Sequence, residues 1–201
     1  SRQPDCLIGV RLNAYAARAD PRGFGVSAGD YRRPDPDEPT RLARMLRDAG
    51  ADILNVTANS PNLRAPPDQR ARHPFADADL GDEHPLTILS RNLALVRALR
   101  EAAGGLAVVA GGWTWLRNYL PAAAAGALEA GAADFAGVGR PGLAYPDLPA
   151  AAARNDFLDP VRCCRLCQSC RVLSRRGGRV GCVLQDAAVY GPEYRLVQRF
   201  A

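Results

Sequence analysis

Two stretches of this chain repeat one pattern: a helix end, a glycine, an acidic residue and a short apolar run. Arg47-Asp48-Ala49-Gly50-Ala51-Asp52 leads into ILNVTA, and Glu129-Ala130-Gly131-Ala132-Ala133-Asp134 leads into FAGV. Glycine just past a helix end accepts the left-handed backbone that stops a helix. A short apolar run bounded by such signals reads as a buried parallel strand. Two further runs fit the same description, Cys6–Asn13 (CLIGVRLN) and Leu106–Ala110 (LAVVA), beside Asp52–Ala58 and Asp134–Val138. Between them the periodicity predicts helices over Glu38–Ala49, with Leu42, Met45 and Leu46 on one face, over Thr87–Ala103, and over Leu116–Ala130. Pro121 belongs in the first turn of the last of these or marks a later start, and a short helix is expected over Asp147–Asn155. Strands alternating with helices mean an α/β fold with a parallel sheet. An open doubly wound sheet fits that pattern, and so does half of a (βα)8 barrel, whose full form runs to about 250 residues.

The second constraint is the segment CCRLCQSCRVLSRRGGRVGC, 163–182. Cys164, Cys167, Cys170 and Cys182 are separated by two, two and eleven residues, one dense group and one returning thiol. Four-thiolate iron–sulfur clusters use such a grouping. Structural zinc sites more often pair two separate Cys-x2-Cys knuckles, and zinc is the main rival, ahead of a disulfide or inert role. Cys163 is a spare thiol, and a ligand shift from Cys164 to Cys163 keeps a workable spacing. Arg162, Arg165, Arg171, Arg175, Arg176 and Arg179 surround the group, and positive charge favours thiolates.

Composition narrows the class. The 201 residues are 47% hydrophobic and 23% charged, as in an ordinary globular protein. No apolar run approaches the ~18 residues of a membrane span, so no membrane role is expected. The cysteines cluster rather than spread, which favours a reducing, cytoplasmic setting over a secreted disulfide framework. The net charge of +5 comes entirely from Arg, with no Lys, and lacks the basic, aromatic-interleaved stripe of a nucleic-acid binder. The chain opens on Ser1 and its only methionine is Met45, so a piece of a longer protein is expected. His73 and His84 each precede a proline in the long 59–85 excursion and read as surface turn residues. Trp113 and Trp115 read as packing residues, while Asn55 and Thr57 fit either a substrate-facing or a core-facing position.

Functional groups in parallel α/β folds gather where strands end. Arg11 leaves the first strand, Gly111 and Gly112 leave the third, and Gly139 with Arg140 leaves the fourth. Glycines allow close backbone approach to a phosphate, and a guanidinium can grip it through two hydrogen bonds. Consecutive strand ends of this kind are expected to form a phosphate cradle.

VRLNAY with GFGVS, DILNVTANSP, VVAGGWTWLR, GVGRPGLAYPDLP and the closing CRLCQSC with its returning GC resemble the old yellow enzyme, or NADH:flavin oxidoreductase, family. The similarity is to its iron–sulfur branch, the 2,4-dienoyl-CoA reductase-like members, and covers almost the whole chain. It implies the C-terminal half of a (βα)8 TIM barrel, strands five to eight, over 1–158, followed by a cysteine-rich cluster segment over 159–201. Implied cofactors are FMN and a 4Fe-4S cluster, with NAD(P)H as electron donor and a small-molecule substrate bearing an activated C=C bond. Arg11 matches the position beside the flavin N1 and C2 carbonyl, and Gly111, Gly112, Gly139 and Arg140 match the FMN phosphate site. Cys164, Cys167, Cys170 and Cys182 match the cluster ligands, although the family pattern has three residues where Cys167 and Cys170 enclose two. The implied partner is the missing N-terminal half-barrel, with homo-oligomerisation as its substitute. A zinc-stabilised binding module and an inactive truncated fragment are the alternatives.

Overall fold

A computed structural model of the protein describes residues 6–18, 23–58, 84–154 and 157–199. The chain is mixed α/β and divides into two compact units, one running to Trp113 and including 123–137, the other combining 114–122 with the residues from 138 onward. The first unit contains β1 (Gly9–Asn13), β2 (Val26–Ser27), β3 (Asp30–Pro34), α1 (Asp37–Asp48), β4 (Ile53–Thr57), α2 (Pro85–Ala102), β5 (Ala107–Ala110) and β6 (Phe135–Ala136). Strands β1, β4, β5 and β6 form one parallel sheet whose spatial order follows the chain without reversal. The register sets Arg11, Asn55, Val109 and Phe135 side by side across it.

The two faces of this sheet differ. Leu12, Leu54, Val56, Val108 and Ala110 alternate onto one face and are buried, together with Ile88, Leu95, Val96 and Leu99 of α2. Each such aliphatic side chain contributes about 1.5–3 kcal/mol on burial. The opposite face carries Arg11, Asn13, Ile53, Asn55, Thr57, Val109 and Phe135, all half-buried or exposed. Parallel sheets are ordinarily covered on both faces, and here only one is fully buried.

The repeated acidic residue has a structural role. Asp52, just before β4, accepts the Ile8 N–H through Oδ2 at 2.8 Å, and Asp134, just before β6, accepts the Val108 N–H at 2.8 Å. Each acid therefore ties the start of its own strand to the start of the neighbouring one. Gly50 and Gly131, at φ +93° and +67°, make the helix stops that precede them. The first strand begins at Gly9 rather than Cys6.

Asp134 additionally accepts from Arg100 Nε and Nη2 at 3.1 and 2.8 Å. The Arg100 guanidinium first, and the Val108 N–H second, hold its carboxyl below the usual aspartate range. A carboxyl with a depressed pKa stabilises the fold above its ordinary titration and loses that contribution as pH falls through the lowered value. Asp134→Ala is expected to lower stability at pH 7 by about 1–2 kcal/mol, because the Val108 N–H loses its partner. Chemical denaturation at pH 7 and again below pH 3 checks this, and the difference between variant and wild type should shrink at the acidic pH.

Several expectations shift. Helix α1 buries Pro39 and Ala43, while Met45 is 61% exposed and Leu42 and Leu46 are half-buried, so the fully buried positions are taken by small residues. The Gly/Pro-rich stretch 23–39 contains the β2–β3 hairpin, an antiparallel pair. Gly25, at φ +65°, packs there against the Ala14 carbonyl where any Cβ would collide. His84 is the N-cap of α2, its Nδ1 accepting the Leu86 N–H at 3.2 Å. His73 lies outside the described residues.

Between β5 and β6 run a 3₁₀ helix (Trp113–Tyr119) and α3 (Leu120–Glu129), with Pro121 in the first turn of α3. Trp113 is buried and its Nε1 donates to the Ala110 carbonyl at 2.6 Å, a packing role as expected. The second unit continues with α4 (Arg140–Ala144), α5 (Leu148–Ala153), α6 (Ser169–Arg175) and α7 (Ala187–Arg199). Its core joins Tyr145, Leu148, Ala151, Leu158 and Cys163, so residues 138–158 share a core with the cysteine segment. Among the described residues no helix is long and apolar enough to cross a membrane.

Candidate functional site

The cysteine loop owes its shape to two residues in an unusual backbone state. Leu166 and Gln168, either side of Cys167, have φ +60° and +66°. Alternating right- and left-handed residues turn backbone N–H groups toward one concave side, an arrangement suited to anions and iron–sulfur sites. One consequence is visible at Cys164, whose Sγ accepts the Leu166 N–H at 3.5 Å. Cys167 Sγ donates to Oγ of buried Ser169 at 3.5 Å. Gln168 then starts α6, which carries Cys170 in its first turn.

The return to Cys182 is held from α7. Glu193 accepts the Arg179 N–H at 2.8 Å through Oε1 and Arg179 Nε at 3.1 Å through Oε2. Gly181 lies flat against the Tyr190 ring, where any Cβ would overlap ring atoms. The entry to the segment is fixed as firmly. Arg162 stacks over the Tyr145 ring at 3.9 Å and donates to Asp147 at 2.8 Å, and Arg117 Nη2 donates to the Pro160 carbonyl at 2.6 Å. Tyr145 and Asp147 of the Tyr-Pro-Asp motif therefore clamp the arginine that precedes the cysteines.

Cys164, Cys167, Cys170 and Cys182 line one cavity with Arg140, Leu143, Leu166, Val183 and Leu184. Burial pushes the Cys164 thiol up; the Leu166 N–H and the Arg140 charge oppose that, while Cys170 and Cys167 add to it. Cys170 behaves alike, raised by burial, eased by Arg140, and raised again by Cys167 and Cys182. Cys163 also borders the cavity, but it is 4% exposed within the Tyr145–Leu158 core, and the charges that reach it are Arg117 and Asp159. Among the described residues no group of three or more His, Cys, Asp or Glu side chains is arranged to hold a metal ion.

Arg140, distant in sequence, borders the cavity, as does Arg165 beside Cys164. Arg162 and Arg179 are committed to Asp147 and Glu193. Gly139 is the residue before α4, with open space where its side chain would be.

Arg11, Gly111 and Gly112 belong to the first unit. Arg11 is exposed on the less buried sheet face, beside Asn55. The Gly111 N–H already donates to the Val56 carbonyl at 2.9 Å, and its own carbonyl accepts from Asn92 Nδ2 at 2.8 Å. What Gly111 supplies is close packing: a Cβ there would lie 2.9 Å from the Thr57 methyl. Gly112 follows at φ +101°. Gly137 plays the same part as Gly111 on the next strand, packed against Val109 and beneath the Asn55 amide. Asn55 and Thr57 thus lie on the less buried face, not in the core. Asn13 and Asn92 each keep a buried Oδ1 without a hydrogen-bond partner.

No protein-family model matches the chain, and no curated protein matches it.

Asn92, Gly137, Gly181 and Glu193 carry no motif in the sequence. Only the glycine before Cys182 and the acid in the closing helix could have flagged the last two.

Proposed function

We propose that this chain is the C-terminal half of a (βα)8-barrel flavoprotein with a 4Fe-4S segment, part of an NAD(P)H:flavin oxidoreductase that reduces activated C=C bonds. The observation that carries this reading is the thiol cavity: four cysteines at cluster-like spacing line it, and the neighbouring Cys163, which also borders it, is buried in a hydrophobic core. The donor set fits an iron–sulfur group, with soft thiolates, an N–H···S contact and an apolar lining. Support for the half-barrel comes from the sheet. Its strands follow chain order without the reversal of a doubly wound sheet. Its less buried face is polar toward the strand ends, as an inner barrel face would be.

When bound, FMN supplies the hydride chemistry and the cluster one-electron transfer. The protein's part is placement and electrostatics. Arg11 presents a guanidinium on the polar sheet face, beside the Asn55 amide, where it stabilises negative charge on a flat ligand. Gly139 has open space where a side chain would be, room for a backbone approach to a phosphate, and Arg140 is assigned there by the resemblance. Cys164, Cys167, Cys170 and Cys182 hold the cluster.

Fluorescence titration of the chain with FMN and with riboflavin tests the flavin part. FMN is expected to bind tighter by about 10–100-fold, since a charge-assisted phosphate contact is worth about 1.5–3 kcal/mol. Equal affinity for the two flavins, or none for either, would overturn the phosphate site.

A further inference from the structure

We propose that Asn92 is a positioning residue of the phosphate site: it fixes the Gly111–Gly112 peptide so that the Gly112 N–H faces the anion. This rests on the flavin reading above. Asn92 lies in the middle of α2, 5% exposed, and its Nδ2 donates to the Gly111 carbonyl at 2.8 Å. That carbonyl and the Gly112 N–H belong to one planar trans peptide, in which they point in opposite directions. Holding the carbonyl toward α2 therefore turns the Gly112 N–H away from α2 and from the buried sheet face that the helix covers. The preceding N–H, that of Gly111, is taken by the Val56 carbonyl at 2.9 Å, whereas the Gly112 N–H has no partner among the described residues. Gly112 stands at φ +101°, where a side chain would be strained, so this turn needs glycine as well as the Asn92 contact.

The other half of the Asn92 amide shows which atom the position uses. Its Oδ1 is buried without a hydrogen-bond partner. An unmade buried acceptor is unfavourable, and a leucine of similar size would avoid it. The N–H is therefore what this position supplies, and its target is the one peptide that joins β5 to the loop after it. A backbone N–H already aimed before the ligand arrives binds an anion without first having to be ordered. Asn92 itself does not touch the phosphate. It acts through the peptide that it holds.

The test is the ratio of FMN to riboflavin affinity, measured by fluorescence titration on wild type, Asn92→Leu and Asn92→Ala. Riboflavin shares the ring and ribityl chain of FMN and lacks only the phosphate, so the ratio isolates that group. Asn92→Leu is expected to lower the ratio about tenfold, chiefly through weaker FMN binding. Asn92→Ala should do the same. If the two affinities fall to the same extent and the ratio is kept, the inference is overturned and the flavin reading stands, with Asn92 a packing residue alone. A wild type with no preference for FMN overturns the phosphate reading itself, and this inference with it. A second measurement holds even where neither variant folds. Glycine labelled with 13C at the carbonyl and with 15N reports only the second amides of the Gly-Gly pairs, Gly105, Gly112 and Gly178. FMN should shift the Gly112 signal of wild type and riboflavin should not. A Gly112 signal that FMN leaves unmoved, or that both flavins move alike, overturns the inference.

Discussion

Cys170→Ser is expected to abolish the brown chromophore of the reconstituted chain, while Cys163→Ala leaves it intact. Cys170 sits in the first turn of α6 and lines the same cavity as Cys167 of the dense group and the returning Cys182. A serine oxygen is a poor replacement for a soft thiolate ligand. Cys163 stands next to Cys164 in the chain, but its side chain packs with Tyr145, Leu148 and Leu158. Trimming it to Ala costs on the order of 1 kcal/mol of packing and removes no ligand. Absorbance near ~400 nm and iron content read both variants. Colour that is lost in Cys163→Ala and kept in Cys164→Ala would mean that the ligand set is shifted by one residue.

The chain alone is expected to self-associate and to show no ene reduction. Among the described residues, β1 and β6 each pair on one side only. Unpaired strand edges invite another chain. Exposed Leu7 and Ile8 lie before β1, and Phe135 of β6 is 56% exposed. The half-buried sheet face adds Ile53 and Val109, an apolar surface of the kind that marks an interface. Sedimentation velocity should find dimers or larger species at tens of micromolar, and Phe135→Lys should move the distribution toward monomer. Supplying four further βα units in trans should do the same and tighten FMN binding. A monodisperse monomer that reduces an enone with NADH unaided would contradict this account.

Much of the α/β frame was legible because strand and helix periods differ and glycine marks their junctions. The four sheet strands and three longer helices fall within a few residues of their expected places. The register of α1 was not legible, since Met45 and Ala43 are both apolar and only the neighbouring helix decides which faces inward. The hairpin at 26–34 was hidden because its strands are polar and short. In the candidate site, spacing could not show that Cys163 rather than Cys164 packs into the Tyr145–Leu158 core, because that depends on which side chain the core accepts. That Arg140 borders the same cavity as the cysteines was equally hidden, because it lies far from them in sequence. Gly111 was expected at a phosphate site; in the structure its N–H is engaged by the Val56 carbonyl and its missing side chain makes room for Thr57.

The central claim is that four thiolates of this chain hold an iron–sulfur cluster. Iron, acid-labile sulfide and zinc should be determined on protein reconstituted anaerobically with all three available. The account predicts about four irons and four sulfides per chain, with zinc near zero. About one zinc per chain, bound by Cys164, Cys167, Cys170 and Cys182 and excluding iron, would contradict it.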